Sequence, residues 1–481
     1  MRALTIDVGT SSVRSALVDD EGVHHVHQRA LTLRSPEPGQ VELDATQIAT
    51  FALEAALATL NEGGRGDVVA ITNQRATTIV FDARNGAPVG PAIGWQDLRT
   101  VLDCLILQAE GVRLAPNQSA TKAAWLIKQS DVDPAFLRMA TIETWIGWQL
   151  SRGDVFVSDR SNASVNGLVT NDVQGWNLDL AQRLQLPSSM FATLVDTIGT
   201  CGEASALPGS PPITGLIGDQ PASLFGQSLV RHGAKITFGT GAMLDMVSGS
   251  EGPETMARFS SGCFPTVMRS RESVVTWGIE AIAFSAGSCV QWLRDELGLI
   301  DSLDESSDVA RSVSDGAGVS FVPAFNGLGT PKWDFGARGA FFGLTRGSSR
   351  AHLVRAVLDG IAQRGADLVD AAELHLDEPL GEVRVDGGMS TNSYFVQRLA
   401  DLLGRPVAVS SEREATTRGA GLMALVAAEH LSENDVEALW RPLYVAEPSL
   451  SDDERGFQRQ AWRDVVERAA ATIPELSSVS F

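Results

Sequence analysis

The chain has few cysteines, and their positions exclude two kinds of site. Only four occur in 481 residues, and none forms the Cys-x-x-Cys pair that structural zinc sites use. They are Cys104, Cys201, Cys263 and Cys289. Four scattered cysteines in a chain of this length also give no disulfide framework. We therefore expect free thiols and a reducing compartment, the cytoplasm.

Lysine is equally scarce, and none of the four lysines follows a glycine. Because the Walker A loop ends in Gly-Lys-Ser/Thr, this loop is absent and a nucleotide would have to bind by other means. No apolar run reaches about eighteen residues, the minimum for a membrane-spanning helix. The first residues enter a strand without the charged and apolar leader of a secretory signal. We expect neither a membrane span nor a signal peptide.

The chain has fewer basic than acidic residues, with 38 Lys and Arg compared with 59 Asp and Glu, which gives a net charge of −21. Nucleic acid is therefore not an expected partner, because its binding needs a basic face. The hydrophobic fraction of 44% and the charged fraction of 20% are typical of globular proteins. The length predicts two domains.

Two stretches share one design, a strand followed by glycines and hydroxyl residues. Leu4–Arg14 continues from Asp7 into Gly9–Ser12, and Lys235–Leu244 contains Gly239–Gly241. Glycine lets the backbone approach a ligand, and the N–H groups and hydroxyls suit phosphate oxygens. Asp7, at the strand end, suits a hydrated Mg²⁺. One such stretch could be an ordinary hairpin with a polar turn, but the pair indicates two lobes that grip one polyphosphate.

Strands alternate with helices in both halves, which indicates an α/β fold whose ligands lie beyond the strand ends. In the first half, Asp7, Asn73–Arg75 and Trp95–Arg99 would then converge on one crevice. Periodicity and turn composition give four further expectations. They are a loop at Arg160–Ser164, a linker at Leu207–Pro212, a helix over Glu280–Leu297, and a helical, acidic tail beyond about Leu431 that decorates the fold.

Two polar segments follow predicted strands in positions suited to chemistry. Gly218–Pro221 places Asp219 after Ile213–Ile217, where a carboxylate suits a general base or, equally, a helix N-cap. Asp386–Asn392 follows another strand, and its paired glycines suit either a purine ring against the backbone or close helix–strand packing. In Thr416–Gly421, a partial dinucleotide fingerprint lacks its preceding strand, which favours helix packing.

Taken in order, these motifs resemble the FGGY carbohydrate kinase family, and within it most closely the glycerol kinases. The resemblance extends from Leu4 to about Ala428. Its motifs are Asp7–Ser12 (DVGTSS), Thr72–Arg75 (TNQR), Trp95–Thr100 (WQDLRT), Ser161–Ser164 (SNAS), Gly218–Gln227 (GDQPASLFGQ), Phe238–Gly241 (FGTG), Ala286–Glu296 (AGSCVQWLRDE), Pro323–Asp334 (PAFNGLGTPKWD), Ala337–Gly347 (ARGAFFGLTRG) and Asp386–Asn392 (DGGMSTN).

The resemblance implies a fold, a reaction and a set of site residues. The fold would be two ribonuclease-H-like domains of the actin and hexokinase type, residues 1–228 and 229–481, with a nucleotide cleft between them. ATP, with Mg²⁺ near Asp7, would give its γ-phosphoryl group to a polyol or sugar hydroxyl, with Asp219 as the catalytic base beside substrate-binding Gln220. The implied nucleotide contacts are Thr10, Ser11, Ser12, Arg14 and Thr240 at the phosphates, Gly287 and Gln291, and Gly388 and Asn392 at the adenosine.

The substrate residues depart from the glycerol kinase pattern at three positions. Ala76 replaces a glutamate, Asn117 or a neighbour replaces a tyrosine, and Met243 replaces an aromatic residue, whereas Arg75 and Trp95 remain. The changed pocket is roomier and lacks one charged acceptor. Since a lost buried acceptor is worth about 1–3 kcal/mol of discrimination, we expect a larger polyol or sugar, such as a tetritol. A ketopentose kinase, for xylulose or ribulose, is the alternative.

Two rival functions use the same fold. A non-catalytic nucleotide or sugar sensor would need neither Asp7 nor Asp219, and an actin-like or chaperone-like ATPase would leave Trp95–Arg99 without a role. The sequence leaves open the hydroxyl that is phosphorylated, any effector, and whether the chain forms a homo-oligomer.

Overall fold

The computed structural model describes residues 1–479. The first half of the chain contains β1 (Ala3–Val8), β2 (Ser12–Val18), β3 (Val23–Ala30), β4 (Glu42–Leu43), α1 (Ala45–Gly63), β5 (Val68–Asn73), β6 (Ile79–Asp82), β7 (Ala87–Pro88), β8 (Ala92–Ile93), α2 (Val101–Ala109), α3 (Ser119–Lys128), β9 (Leu137–Ala140), α4 (Ile142–Leu150), β10 (Val157–Asp159), α5 (Arg160–Ala163), α6 (Leu178–Arg183), β11 (Thr193–Val195), β12 (Ile198–Glu203), β13 (Pro212–Gly218) and α7 (Asp219–Gly226).

The second half contains β14 (Ala234–Phe238), β15 (Ala242–Gly249), β16 (Phe264–Arg271), β17 (Val274–Ala283), α8 (Gly287–Asp295), α9 (Glu305–Arg311), β18 (Ser320–Val322), β19 (Ala340–Phe342), α10 (Arg350–Glu373), β20 (Val383–Asp386), α11 (Ser393–Leu403), β21 (Val407–Ser410), α12 (Ala415–Ala427), α13 (Glu433–Ala438), β22 (Pro442–Ala446), α14 (Asp452–Ala469) and α15 (Pro474–Ser477). None of the helices in the described part of the chain combines the length and apolarity that crossing a bilayer requires.

Two sheets of matching design form the cores of the two halves. The first has the order β12-β13-β5-β1-β2-β3, with β1 to β3 antiparallel and β5 and β13 parallel to β1. The second has the order β16-β17-β15-β14-β20-β21-β22, with β14, β15 and β17 antiparallel and β20 and β21 parallel. Three antiparallel strands followed by parallel ones form the ribonuclease-H-like arrangement. The predicted fold class, α/β with two such domains, is confirmed.

The strands and helices form where the sequence pattern favours them. Every residue of β1 and of β5 is buried, as expected for central strands covered on both faces. Helix α1 begins where the Asp44 carboxylate accepts hydrogen bonds from the Thr46 and Gln47 N–H groups, at 2.8 and 3.1 Å. The four cysteines are free, as the sequence predicted.

The two halves are joined by a close crossing of α7 and α12. A Cβ at Gly419 would overlap the Ala222 carbonyl oxygen, and one at Gly226 would overlap that of Ala415. Buried residues of α12, such as Met423, also pack against the first sheet, although the helix follows the last parallel strand of the second. The glycines around Gly419 therefore serve helix packing, as predicted.

Four expectations about local structure are wrong. Residues 280–283 are not helical, because β17 continues through Ala283 and α8 begins only at Gly287. Residues 160–163 form a one-turn helix capped by Asp159. The segment 207–212 connects two neighbouring strands of the first sheet and is not a linker between domains. The tail contains a strand as well as helices, because β22 adds an edge strand to the second sheet.

Candidate active site

The first glycine-hydroxyl loop lies at the end of β1, next to the tryptophan cluster. The Gly9 N–H donates to the Ser12 carbonyl oxygen at 2.9 Å, which closes the turn. The Trp95 indole N–H donates to the Thr10 hydroxyl at 3.4 Å. Ser11 is exposed and Thr10 is half-buried, so both hydroxyls are open to a ligand. The structure thus brings the predicted phosphate loop and the predicted substrate residue Trp95 together.

The second loop, Gly239–Gly241, is held against the start of α8. The Thr240 carbonyl oxygen accepts the Ala286 N–H at 2.8 Å and the Ser288 hydroxyl at 2.9 Å. The Gly287 N–H donates to the Gly239 carbonyl oxygen at 2.9 Å, and a Cβ at position 287 would lie 2.5 Å from the same oxygen. Only glycine permits this approach, which connects the loop rigidly to the helix.

A cavity of about 440 Å³ opens beside the second loop. It is lined by five residues that the resemblance assigned to the nucleotide, namely Thr240, Gly287, Gln291, Gly388 and Asn392. A Cβ at Gly388 would meet nothing within 4 Å, so its backbone faces open space. The Asn392 side chain caps α11 by accepting the Phe395 N–H at 2.9 Å and donates to Ser306 at 2.9 Å. The wall from Leu303 to Arg311, with α9, was missed because it carries no recognisable motif.

Asp219 is the first residue of α7, at the end of β13. Its carboxylate accepts the Gln220 N–H at 2.8 Å and lies 3.6 Å from Arg75 Nε. Burial raises its pKa to about 6, although Arg75 opposes the shift. The side chain is still 30% exposed, so a ligand in the cleft can reach it. The N-cap position is Gly218, so the N-cap alternative for Asp219 is wrong.

Arg75 connects the first sheet to the second. Its Nη2 pairs with the Glu280 carboxylate and its Nη1 donates to the Thr266 hydroxyl at 3.3 Å, both on the second sheet. Burial alone would lower the pKa of Arg75, but the Glu280, Asp219 and Asp245 carboxylates raise it. The guanidinium therefore stays charged between the two halves, next to Asp219.

A buried ion pair lies beneath Gln220. Lys235 Nζ is 2.9 Å from Asp245 Oδ2, and both side chains are fully buried. The same ammonium donates to Gln220 Oε1 at 3.1 Å and to the Thr237 hydroxyl at 2.9 Å. The sequence analysis did not identify Lys235, Asp245 or Glu280 as site residues. The only sequence signal for them was a charged residue within each apolar strand.

Asp7 and Arg14 lie close to the first loop and to α12. Asp7 Oδ2 accepts the Thr417 hydroxyl at 2.8 Å and is 3.8 Å from Arg14 Nη1, which also pairs with Glu414. Burial raises the pKa of Asp7, against the effects of Thr417 and Arg14. Within residues 1–479 no group of three or more His, Cys, Asp or Glu side chains could hold a metal ion.

The three departures from the glycerol kinase pattern lie in three separate segments of the chain. Ala76 is buried at φ 59°, a left-handed conformation that non-glycine residues rarely adopt, and its carbonyl oxygen accepts the Ser119 hydroxyl at 3.4 Å. Met243 is half-buried on β15. Asn117 is exposed on the loop before α3, and no hydrogen bond joins its side chain to the described residues. The structure therefore does not fix Asn117 in the pocket.

Known proteins resemble this chain over nearly its whole length. Glycerol kinases of Dechloromonas aromatica and Trichlorobacter lovleyi are each 38% identical over 97% of it, and the match covers 97% and 98% of those proteins. A crystal structure of Plasmodium falciparum glycerol kinase with ADP superposes with a TM-score of 0.91 at 28% identity, covering 97% of this chain and 98% of that one. A xylulose kinase from Lactobacillus acidophilus, at 17% identity and a TM-score of 0.87, covers 99% of this chain and 100% of that one and shares the fold.

The two halves also match two family domains separately. Residues 2–226 match the N-terminal domain of the FGGY family of carbohydrate kinases, and residues 234–428 match its C-terminal domain. The matched segments contain both glycine-hydroxyl loops, Asp219 and the cavity beside the second loop. The chain belongs to the FGGY family of carbohydrate kinases.

Proposed function

We propose that this protein transfers the γ-phosphoryl group of ATP to a hydroxyl of a polyol or sugar larger than glycerol, with Asp219 as the general base. One observation carries the proposal: Asp219 is a partly exposed carboxylate of raised pKa, held next to the Arg75 bridge. The Trp95–Thr10 hydrogen bond supports it, because it puts a substrate-type residue beside the phosphate loop. We place the domain boundary at 228/229, between α7 and β14.

The reaction requires positioning more than covalent chemistry by the protein. The Asp219 carboxylate accepts the proton of the attacking hydroxyl, and its raised pKa makes it a stronger base that is still ionised at neutral pH. Backbone N–H groups and hydroxyls of Gly9–Ser12 and Gly239–Gly241 hold the phosphates. Arg75, fixed by Glu280, orients the acceptor hydroxyl near Asp219.

Mg²⁺ would fit at Asp7. Magnesium is commonly held by one or two carboxylates together with substrate phosphates and water, so a larger protein cage is unnecessary. Thr417 occupies Asp7 Oδ2, and Oδ1 accepts no hydrogen bond from the described residues. The bound ion would neutralise phosphate charge. With four free cysteines, we also assign the enzyme to the cytoplasm.

The substrate assignment follows from the pocket. Ala76 puts a methyl group where glycerol kinases carry a carboxylate, and Met243 is flexible where they carry an aromatic ring. The pocket therefore has more space for a longer polyol, and it lacks the carboxylate acceptor that suits glycerol. A tetritol suits this pocket, and a ketopentose is the second candidate.

An assay of ADP release with matched acceptors tests the proposal. We expect turnover with erythritol, xylulose or ribulose at a kcat/KM above that with glycerol. A clear preference for glycerol would contradict the altered pocket. ATP hydrolysis that is independent of every acceptor would instead support the ATPase alternative, and ATP binding without any turnover would support the sensor.

A further inference from the structure

Three charged side chains lie side by side on one face of the second sheet. Lys235 on β14 is the direct cross-strand partner of Asp245 on β15, and Asp245 is the partner of Glu280 on β17. Directly opposed residues of antiparallel strands project from the same face, with Cβ atoms about 4.5–5.5 Å apart. All three are buried within mostly apolar strands. The row faces the first half of the chain, because Lys235 contacts Gln220 and Glu280 contacts Arg75.

The ammonium group of Lys235 has a partner for each of its donors. An ammonium has three N–H donors and no acceptor. Its partners are Asp245 Oδ2 at 2.9 Å, the Thr237 hydroxyl at 2.9 Å and Gln220 Oε1 at 3.1 Å. Burial alone would lower the pKa of Lys235, but the Asp245 and Asp386 carboxylates raise it, so the group stays charged at neutral pH. Lys235 is therefore fixed between β14, β15 and α7.

This contact determines how Gln220 presents its side-chain amide. Because an ammonium only donates, the amide oxygen must face Lys235, and the amide nitrogen points away from it. Nε2 is accessible to solvent, and no described residue accepts a hydrogen bond from it. The backbone N–H of Gln220 is already used, since it donates to the Asp219 carboxylate at 2.8 Å. Gln220 can therefore offer a ligand beside Asp219 only the N–H donors of its amide.

Stability alone does not account for the Lys235–Asp245 pair. Two charges inside a protein lose their hydration, and apolar side chains of similar volume often replace such a pair without loss of stability. The Asp245 side chain also has no further polar contact in the described part of the chain, because its Oδ1 accepts no hydrogen bond there. Asp245 thus acts on Lys235, and Lys235 acts on a residue of the proposed substrate site.

We propose that Lys235, held by Asp245, is a positioning residue that fixes the Gln220 amide as a hydrogen-bond donor to the acceptor substrate. This inference rests on the proposed kinase function and specifies how that site recognises its substrate. The substrate oxygen that Gln220 contacts must accept a hydrogen bond, as a hydroxyl or keto oxygen does. Asp219 then takes the proton of the attacked hydroxyl while Gln220 holds another oxygen of the same molecule.

Replacing both members of the ion pair tests the proposal without leaving a buried charge unpaired. Lys235→Met/Asp245→Leu substitutes apolar side chains and should fold, which thermal denaturation checks. ADP release is measured with whichever of erythritol, xylulose and ribulose has the highest kcat/KM. We expect KM for this acceptor to rise roughly tenfold, while kcat and the KM for ATP change less than about twofold. The reason is that the released Gln220 amide no longer presents its donors in one orientation.

A double-mutant cycle determines whether the pair acts through Gln220. Gln220→Leu alone removes the donor and should raise the KM for the acceptor by a similar factor. Adding Lys235→Met/Asp245→Leu to Gln220→Leu should then change this KM by less than about twofold more. A purely structural role of the pair would instead multiply the two effects.

Gln220→Glu tests the orientation of the amide without altering the buried pair. The new carboxylate can still pair with Lys235, so the variant should fold, but it has no N–H to donate. We expect the KM for the acceptor to rise roughly tenfold or more. If the amide oxygen rather than the nitrogen contacted the substrate, a carboxylate would replace it and the KM would stay close to that of the wild type.

A largely buried ion pair away from the cleft is the matched control. Arg405 pairs with Glu373 just before the start of β21, whereas the cleft residue Gly388 follows the end of the parallel strand β20. Arg405→Met/Glu373→Leu removes the same two kinds of charge. It should change the KM for the acceptor by less than about twofold.

The outcomes separate this inference from the kinase proposal. A wild-type KM in Gln220→Glu or in folded Lys235→Met/Asp245→Leu would overturn the positioning role and leave the kinase in place. Effects that multiply in the cycle would do the same. If Lys235→Met/Asp245→Leu does not fold, the result with Gln220→Glu decides. No ADP release by the wild type with any acceptor would overturn the kinase proposal and the positioning role with it.

Discussion

At the scale of single residues, the base assignment makes Asp219 the most sensitive position in the cleft. Asp219→Asn keeps the shape of the side chain but removes its ability to take a proton. We expect turnover to fall by about 10²–10⁴ while ATP binding, measured by calorimetry, is unchanged. Asp20→Asn, at an exposed position between β2 and β3, is the control. Turnover of Asp219→Asn at the parental rate would contradict the assignment.

The pKa of the same carboxyl sets the pH dependence. A base must be ionised to accept a proton, and the pKa of Asp219 is about 6 in the protein without substrate. We therefore expect log kcat/KM to rise with pH below about 6 and to level off above it, since kcat/KM reports the free enzyme. An activity that does not change over about pH 5–8 would exclude Asp219 as the base.

At the scale of elements, the crossing of α7 and α12 depends on glycine. Gly419→Ala would push a methyl group into the Ala222 carbonyl, and we expect it to lower the free energy of unfolding by about 1–3 kcal/mol, as overpacked cores do. Urea denaturation measures the loss. Gly456→Ala, on α14, meets nothing within 4 Å and should stabilise the protein by about 0.5–1 kcal/mol. Equal effects of the two substitutions would contradict the close crossing.

A buried carboxyl pair joins α4 to β10. Glu143 accepts hydrogen bonds from the hydroxyls of Thr141 at 2.6 Å and Ser158 at 2.7 Å, and burial raises the pKa values of both Glu143 and Asp159. The folded protein then binds protons more tightly than the unfolded chain, so the pair's contribution to stability increases as the pH falls from about 8 to 5.

Glu143→Gln should remove the part of this dependence that Glu143 contributes. For each extra proton that the folded protein binds, the free energy of unfolding of the wild type should rise by up to about 1.4 kcal/mol for each unit by which the pH falls over this range. The rise should be smaller in the variant. Denaturation midpoints at several pH values measure the difference. Glu21→Gln, at an exposed turn, should retain the wild-type slope. Parallel pH curves for wild type and Glu143→Gln would refute the raised pKa.

At the scale of the whole molecule, the Arg75–Glu280 pair connects the two halves beside the cleft. Glu280→Ala removes the ion-pair partner of Arg75 Nη2 and leaves the buried guanidinium with the more distant Asp219 carboxylate, at 3.6 Å, and we expect a loss of up to about 3–5 kcal/mol in the free energy of unfolding. The exposed pair of Arg231 with Glu437 offers a control, since Glu437→Ala should cost no more than about 1 kcal/mol. Similar melting temperatures for the two variants would show that the bridge contributes little.

Much of the site could be predicted because its signals are local. The strand, glycine and hydroxyl order at Gly9–Ser12 and Gly239–Gly241 follows from turn chemistry within a few residues, and the structure puts both loops at strand ends. Gly388 and Gln291, which the family resemblance implied as nucleotide contacts, line one cavity with Thr240. The Glu280 region was misread because helical and strand periods are hard to separate in a short apolar run.

The sequence alone determined the fold class, the family and the kinds of residue at the strand ends, since motif order and local propensity are properties of the chain itself. Only the tertiary structure decided which distant side chains meet: Lys235 with Gln220, and Arg75 with Glu280. The physical reason is that these contacts depend on the packing of two sheets whose residues lie far apart in the chain, and no local pattern encodes such distances.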